Sequence, residues 1–230
     1  IGHAPKKSEP FELNSFIKRR VADLTAYQNA RYASRYADRL KKITALENDK
    51  IPGGVRLSEA AARGLFKLMA YKDEYEVARL YTDGTFAENI RNTFQDGGTI
   101  KLHLAPPMIA EKDPNTGHLK KRTYGPWMFR AFGILKNVKG LRGTAFDLFG
   151  YTAERKMERA LIGEYESLLS EIETSLTADN YETAVALASL PMQIRGFGHV
   201  KEANVEKAKT RWAELLKAFR DPGHTSIAAE

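Results

Sequence analysis

The sequence contains no cysteine. That excludes disulfides, thiolate zinc sites and cysteine-ligated iron–sulfur clusters from this chain, and it favours the cytoplasm as the expected compartment. Histidine is sparse, and none of the five lies three or four residues from another, which argues against a histidine zinc site. No run approaches the ~20 apolar residues of a membrane-spanning helix, so no membrane role is expected. The first residues, Ile1 to Pro10, lack the apolar core of a signal peptide. They also lack an initiator methionine, and the chain reads as a fragment or a processed product. No nucleophile elbow and no complete phosphate loop is present.

What remains is 230 residues, 43% hydrophobic and 28% charged, enough for a soluble chain with its own core. The net charge of +7 permits an acidic partner without requiring one. The tightest basic runs are Lys18-Arg19-Arg20, Lys41-Lys42 and Lys120-Lys121-Arg122. A solvated helix face or a hairpin explains each, so nucleic acid is the least favoured partner.

Periodicity predicts a mainly α fold. Residues 14–47 read as one long helix, with Ile17, Val21, Leu24, Tyr32, Tyr36, Leu40 and Ile43 at steps of three or four. Residues 1–54 are assigned to this N-terminal linker helix and 55–230 to a helical C-terminal domain. Ser58 is the expected cap of the next helix. Asp73 with Glu76 forms a capping box, so that helix either breaks near Tyr71-Lys72 or runs on to Tyr81. Thr85 with Glu88 opens a short helix. Residues 99–104 alternate as a strand, and the turn sequence 113–117 predicts a small antiparallel β element near 99–123. Helices are expected from Pro126, over 152–176, over 180–190 and over 199–219. The core set is Trp127, Phe132, Leu135, Leu161 and Leu168.

Several unusual segments resemble one family. Lys67 to Tyr81, His103 to Pro107, Tyr124-Gly-Pro-Trp127, Phe149-Gly-Tyr-Thr-Ala-Glu-Arg155 and Gln193 to Lys201 are similar to the C-terminal region of long, fused indolepyruvate ferredoxin oxidoreductases. Arg19 to Asn29 resembles the helix that leads into it. The resemblance spans roughly residues 15 to 220. It implies membership of an enzyme that oxidatively decarboxylates aryl 2-oxo acids to acyl-CoA, with thiamine diphosphate, magnesium and iron–sulfur clusters, and passes electrons to ferredoxin. Those cofactors are expected on other domains. The cluster cysteines and the Gly-Asp-Gly diphosphate motif have no counterpart here, and Asp96-Gly97-Gly98 does not replace the latter. No catalytic residue carries over. The partners implied are the remaining domains of the same enzyme.

The residues themselves offer one ligand-binding candidate. Arg195, Gly196, Gly198, His199 and Lys201 precede or open a helix, where free N–H groups and the positive helix end favour an anion such as the diphosphate of coenzyme A. A helical hairpin with Gly196 as its C-terminal cap is the preferred explanation of the same glycines. Lys72-Asp73-Glu74 with Glu76 and Arg79 could be an acid–base cluster, but Lys72–Glu76 spacing favours a salt-bridged surface helix. His103 is expected to be packed in its strand. The functional expectation is a docking domain without chemistry of its own, with the stripe on residues 14–47 left bare for its partner or covered by a second copy.

Overall fold

The computed structural model describes residues 11–93, 99–104 and 120–224. It is mainly helical, with one short antiparallel pair of strands. Two compact units divide it: Ile1–Ala70 with Arg159–Glu230, and Tyr71–Glu158. These bounds differ from a linker helix over 1–54 followed by a domain over 55–230.

In the first unit, α1 (Leu13–Tyr27) and α2 (Ala30–Lys50) replace the single helix expected over 14–47. The break falls at Gln28–Asn29. Asn29 is extended, and its side chain accepts a hydrogen bond from the Tyr32 amide at 2.9 Å. A residue that can cap has ended one helix and started another without disturbing the apolar spacing. The two helices pack on each other and on α3 (Arg56–Met69).

The stripe is therefore core, which corrects the expectation of a bare docking face. Leu24, Tyr36 and Leu40 are buried, and Val21 and Tyr32 are half-buried. The hydroxyl of Tyr36 donates to the Ala62 carbonyl, and that of Tyr32 to the Met69 carbonyl. Both tyrosine tips are thus satisfied at the α3 backbone, as buried hydroxyls must be.

Ser58 does not cap α3. The helix begins two residues earlier, and its amides are capped from α2: the Glu47 carboxylate accepts from Leu57 N and Ser58 N, both at 2.8 Å. The rest of the unit is α7 from Arg159 onward (the helix runs Ala153–Ser175), α8 (Tyr181–Ser189), a 3₁₀ turn over Leu190–Gln193, and α9 (His199–Arg220). Tyr165 on α7 donates to the Ala188 carbonyl on α8 at 2.7 Å. Leu161 and Leu168 are core, as expected.

In the second unit the chain does break at Ala70–Asp73, and Asp73 caps α4 (Glu74–Thr82) by accepting from Glu76 N at 2.8 Å. Then come α5 (Thr85–Thr93), β1 (Leu102–Leu104), β2 (Arg122–Tyr124), α6 (Trp127–Leu135) and a 3₁₀ segment over Lys136–Leu141. The strands pair antiparallel, His103 opposite Thr123. The expected turn over 113–117 lies outside the described residues, as do residues 105–107 of the His103 to Pro107 segment.

The unit's core joins Ala78, Leu102, Met128 and Phe132, with Leu135 packed against it. Trp127 departs from expectation and is 59% exposed, and Ile134 is 72% exposed. Met128 and Phe132 are four residues apart and share the inward face of α6, which leaves Trp127 and Ile134 off it. A short helix of nine residues has one buried face, however apolar its composition.

Candidate functional site

Asp73 and Glu74, expected on a surface salt-bridged helix, belong to buried ionic contacts instead, whereas Lys72 is exposed. Asp73 and Arg142 are each 3% exposed in their side chains and are paired. The Arg142 guanidinium donates to both Asp73 oxygens, once at 2.8 Å. A triad lies in the same unit. Arg155 donates to Glu158 at 2.5 Å and to both Glu74 oxygens at 3.3 and 3.4 Å. Burial opposes the Arg155 charge, but the Glu74 and Glu158 carboxylates outweigh it and hold its pKa above the ordinary arginine value. Glu76 pairs with Arg79, not with Lys72.

Asp147 forms the third part. Its carboxylate is 3% exposed and accepts from Gly143 N at 2.8 Å, Gly150 N at 3.1 Å and the Tyr75 hydroxyl at 3.2 Å. Burial, and then the Asp147 charge, push the Tyr75 hydroxyl well above the usual tyrosine range. The Tyr75 and Phe149 rings meet edge to face at 5.3 Å. Arg142 lies over the Tyr75 ring at 5.5 Å.

Two segments that stood out separately in the sequence, Lys67 to Tyr81 and Phe149 to Arg155, thus converge through Tyr75–Phe149 and Glu74–Arg155. Glu74 and Arg155 form the ion pair between them. Sequence reading missed Arg142 and Asp147, because Asp73 and Tyr75, the side chains they meet, lie 69 and 72 residues away.

The Gly196–Lys201 turn is open. Arg195, Gly196, Gly198 and His199 are exposed and Lys201 is half-buried. Gly196 and Gly198 both have positive φ, at 95° and 54°, a region that glycine enters without strain. A Cβ on Gly196 would also lie 2.7 Å from Val200 Cγ1. Gly196 stands three residues beyond the Leu190–Gln193 turn, so the helix-capping role preferred for it does not apply. Gly198 is the cap position of α9 and supplies no side-chain bond.

Lys67, which the sequence did not connect with this turn, reaches it. Its ammonium and Arg195 Nε both donate to the Met192 carbonyl, at 3.0 and 3.3 Å. Burial, with the Arg195 and Lys201 charges, lowers the Lys67 pKa. Cations have been brought together here against their repulsion.

His103 is exposed, with Nδ1 3.1 Å from the Thr123 hydroxyl, and is not packed as expected. Among the described residues, no three histidine or acidic side chains are grouped as metal ligands. No described helix is long and apolar enough to cross a membrane.

A family model matches residues 13–214, nearly the whole of both units. The chain belongs to the family of unknown function DUF6537. Compared with the curated proteins and with the solved structures, it matches none.

Proposed function

We propose that this chain is a non-catalytic structural and docking domain of an indolepyruvate ferredoxin oxidoreductase working in the cytoplasm. The resemblance of its unusual segments supplies the enzyme. One observation supports the role: Asp73 and Glu74 are engaged by buried arginines, while the turn held by Asp147 presents large apolar side chains to water. Asp73 is held by Arg142, and Glu74 by Arg155. Phe146 and Leu148, on either side of buried Asp147, are 76% and 68% exposed. Buried ion pairs contribute little net stability and serve better to fix geometry. Oxidative decarboxylation, with thiamine diphosphate, magnesium, iron–sulfur clusters and electron transfer to ferredoxin, belongs to the remaining domains.

The test separates the pieces. The chain and the remaining domains of the enzyme are produced apart, and binding is followed by calorimetry beside turnover of indolepyruvate. The expected result is saturable binding, with no turnover by the chain alone. Turnover by the chain alone, or no binding to the catalytic domains, refutes the proposal.

A second reading is favoured by the convergence of Lys67, Arg195 and Lys201. It makes the 195–201 turn a seat for an anion, such as the diphosphate of coenzyme A. Titration with coenzyme A checks it: binding weakened at least tenfold in Arg195→Ala/Lys201→Ala supports the reading, and no binding by the unaltered chain removes it.

A further inference from the structure

Resting on the docking proposal, we infer that the turn over residues 141–151 is the contact face, and that its occupant is an acidic protein surface with an apolar pocket on the remaining domains. Phe146, Leu148 and Tyr151 are 76%, 68% and 59% exposed. They are not on a loose loop. Asp147 closes the turn from below through Gly143 N, Gly150 N and the Tyr75 hydroxyl. The Tyr151 hydroxyl donates to the Ala145 carbonyl at 2.7 Å, which lays its ring along the turn. The Thr144 hydroxyl donates to the Leu141 carbonyl at 2.7 Å and accepts from Phe146 N at 3.2 Å. A buried carboxylate is thus used to hold two large apolar side chains in solvent. That arrangement is pre-organised: little ordering entropy is left to lose when a shaped pocket receives them.

Charge selects the occupant. Within residues 120–156, Arg142 is matched by Asp73 and Arg155 by Glu74 and Glu158. Lys120, Lys121, Arg130 and Lys156 are exposed. The acids of the stretch are buried Asp147 and half-buried Glu154. The chain as a whole carries a net charge of +7, so a second copy would be repelled, whereas an acidic surface is attracted. A fluid lipid surface gains nothing from a turn held so rigidly.

The experiment titrates the unaltered chain, Phe146→Ser/Leu148→Ser and a Val55→Ser control against the separately produced remaining domains. Vesicles of mixed phosphatidylglycerol and phosphatidylcholine, and sedimentation of the chain alone, are run in parallel. The substituted side chains face water, so the thermal midpoint should not move. The expected result is an affinity loss of about tenfold or more for the double variant and none for Val55→Ser. Affinity should also fall as sodium chloride rises from about 50 to about 500 mM. Equal binding by the double variant overturns this face while leaving the docking proposal standing. Affinity indifferent to salt overturns the acidic occupant. Vesicle binding or self-association that the double variant loses, without such a loss toward the remaining domains, replaces the occupant with lipid or a second copy. No binding by the unaltered chain removes the docking proposal and this inference with it.

Discussion

Glu47 lies 134 residues before Tyr181, yet its carboxylate, wholly removed from water, accepts the Tyr181 hydroxyl at 2.6 Å. The same carboxylate accepts two amides and a hydroxyl at the start of α3. One side chain therefore ties the end of α2 to the first turns of α3 and α8. A charged acceptor placed at a helix N-terminus also suits the helix dipole.

Glu47→Gln should destabilise strongly. An amide has one acceptor oxygen, and its NH₂ would face donors. Leaving buried donors unpaired costs about 1–3 kcal/mol each, so a loss of about 3 kcal/mol is expected in urea unfolding. A loss below about 1 kcal/mol would contradict this account.

Tyr181 makes the same site sensitive to alkali. Burial first, and then its bond to Glu47, raise its pKa to about 12. The folded state therefore holds this proton more tightly than the unfolded chain. The stability it contributes is full below about pH 10 and is lost as pH rises from there through about 12. Tyr36, Tyr75 and Tyr165, pushed above the ordinary tyrosine range by burial, act in the same direction. Tyr181→Phe should cost about 1–2 kcal/mol at neutral pH. It should also flatten the alkaline slope by up to about 1.4 kcal/mol per pH unit, the value for one proton. Unfolding curves at pH 8, 10 and 11 decide it, since an unchanged slope would mean that Tyr181 ionises as freely as in the unfolded chain.

How much of this was legible in the sequence follows from the range of the interactions. Helix positions were readable because apolar spacing and caps such as Asp73 are local. The long helix over 14–47 was misread because Asn29 interrupts the chain without interrupting the stripe. The cap of α3 was assigned to Ser58 because a carboxylate 11 residues away is invisible to a local rule. In the ionic cluster, Asp73–Arg142 spans 69 residues and Tyr75–Asp147 spans 72. Neither span has a spacing that sequence reading could use. At the 195–201 turn the glycines and cations were evident, whereas Lys67 joins them only through the packing of α3.

The Asp73–Arg142 pair should behave as two charges that need each other. Arg142→Met leaves Asp73 buried without its partner, and a loss of about 3–5 kcal/mol is expected. Asp73→Asn keeps an acceptor for Glu76 N but removes the charge that Arg142 faces. The double variant should be more stable than the sum of the two losses implies, by about 1–3 kcal/mol. Strict additivity in a double-mutant cycle would show that the two side chains are not energetically coupled.

Gly64 marks a close approach of helices. A Cβ there would lie 2.6 Å from the Tyr165 hydroxyl and 2.8 Å from the Ala188 carbonyl. The second contact is backbone and cannot swing away. Gly64→Ala should therefore destabilise by about 1–3 kcal/mol, although alanine is the better helix former by nearly 1 kcal/mol. Adding Tyr165→Phe relieves only the hydroxyl contact and should not restore stability. A thermal midpoint that rises in Gly64→Ala would rule out this close packing.

Asp147 joins stability to the proposed docking role. Asp147→Ala removes the acceptor for Gly143 N, Gly150 N and the Tyr75 hydroxyl, so the turn loses its tie to α4 while Phe146 and Leu148 remain. Global stability should fall by about 2–4 kcal/mol, since buried donors are left unpaired. The local effect is the more telling one. Amide exchange over residues 143–151 should quicken well beyond the change elsewhere, because local opening no longer has to break the carboxylate's bonds. If binding depends on the turn being held ready, affinity for the remaining domains should drop even though every exposed side chain is intact. Asp147→Asn should fall between, because its one carbonyl oxygen accepts fewer of the three bonds. Exchange over 143–151 that matches the unaltered chain would show that something other than Asp147 holds this turn.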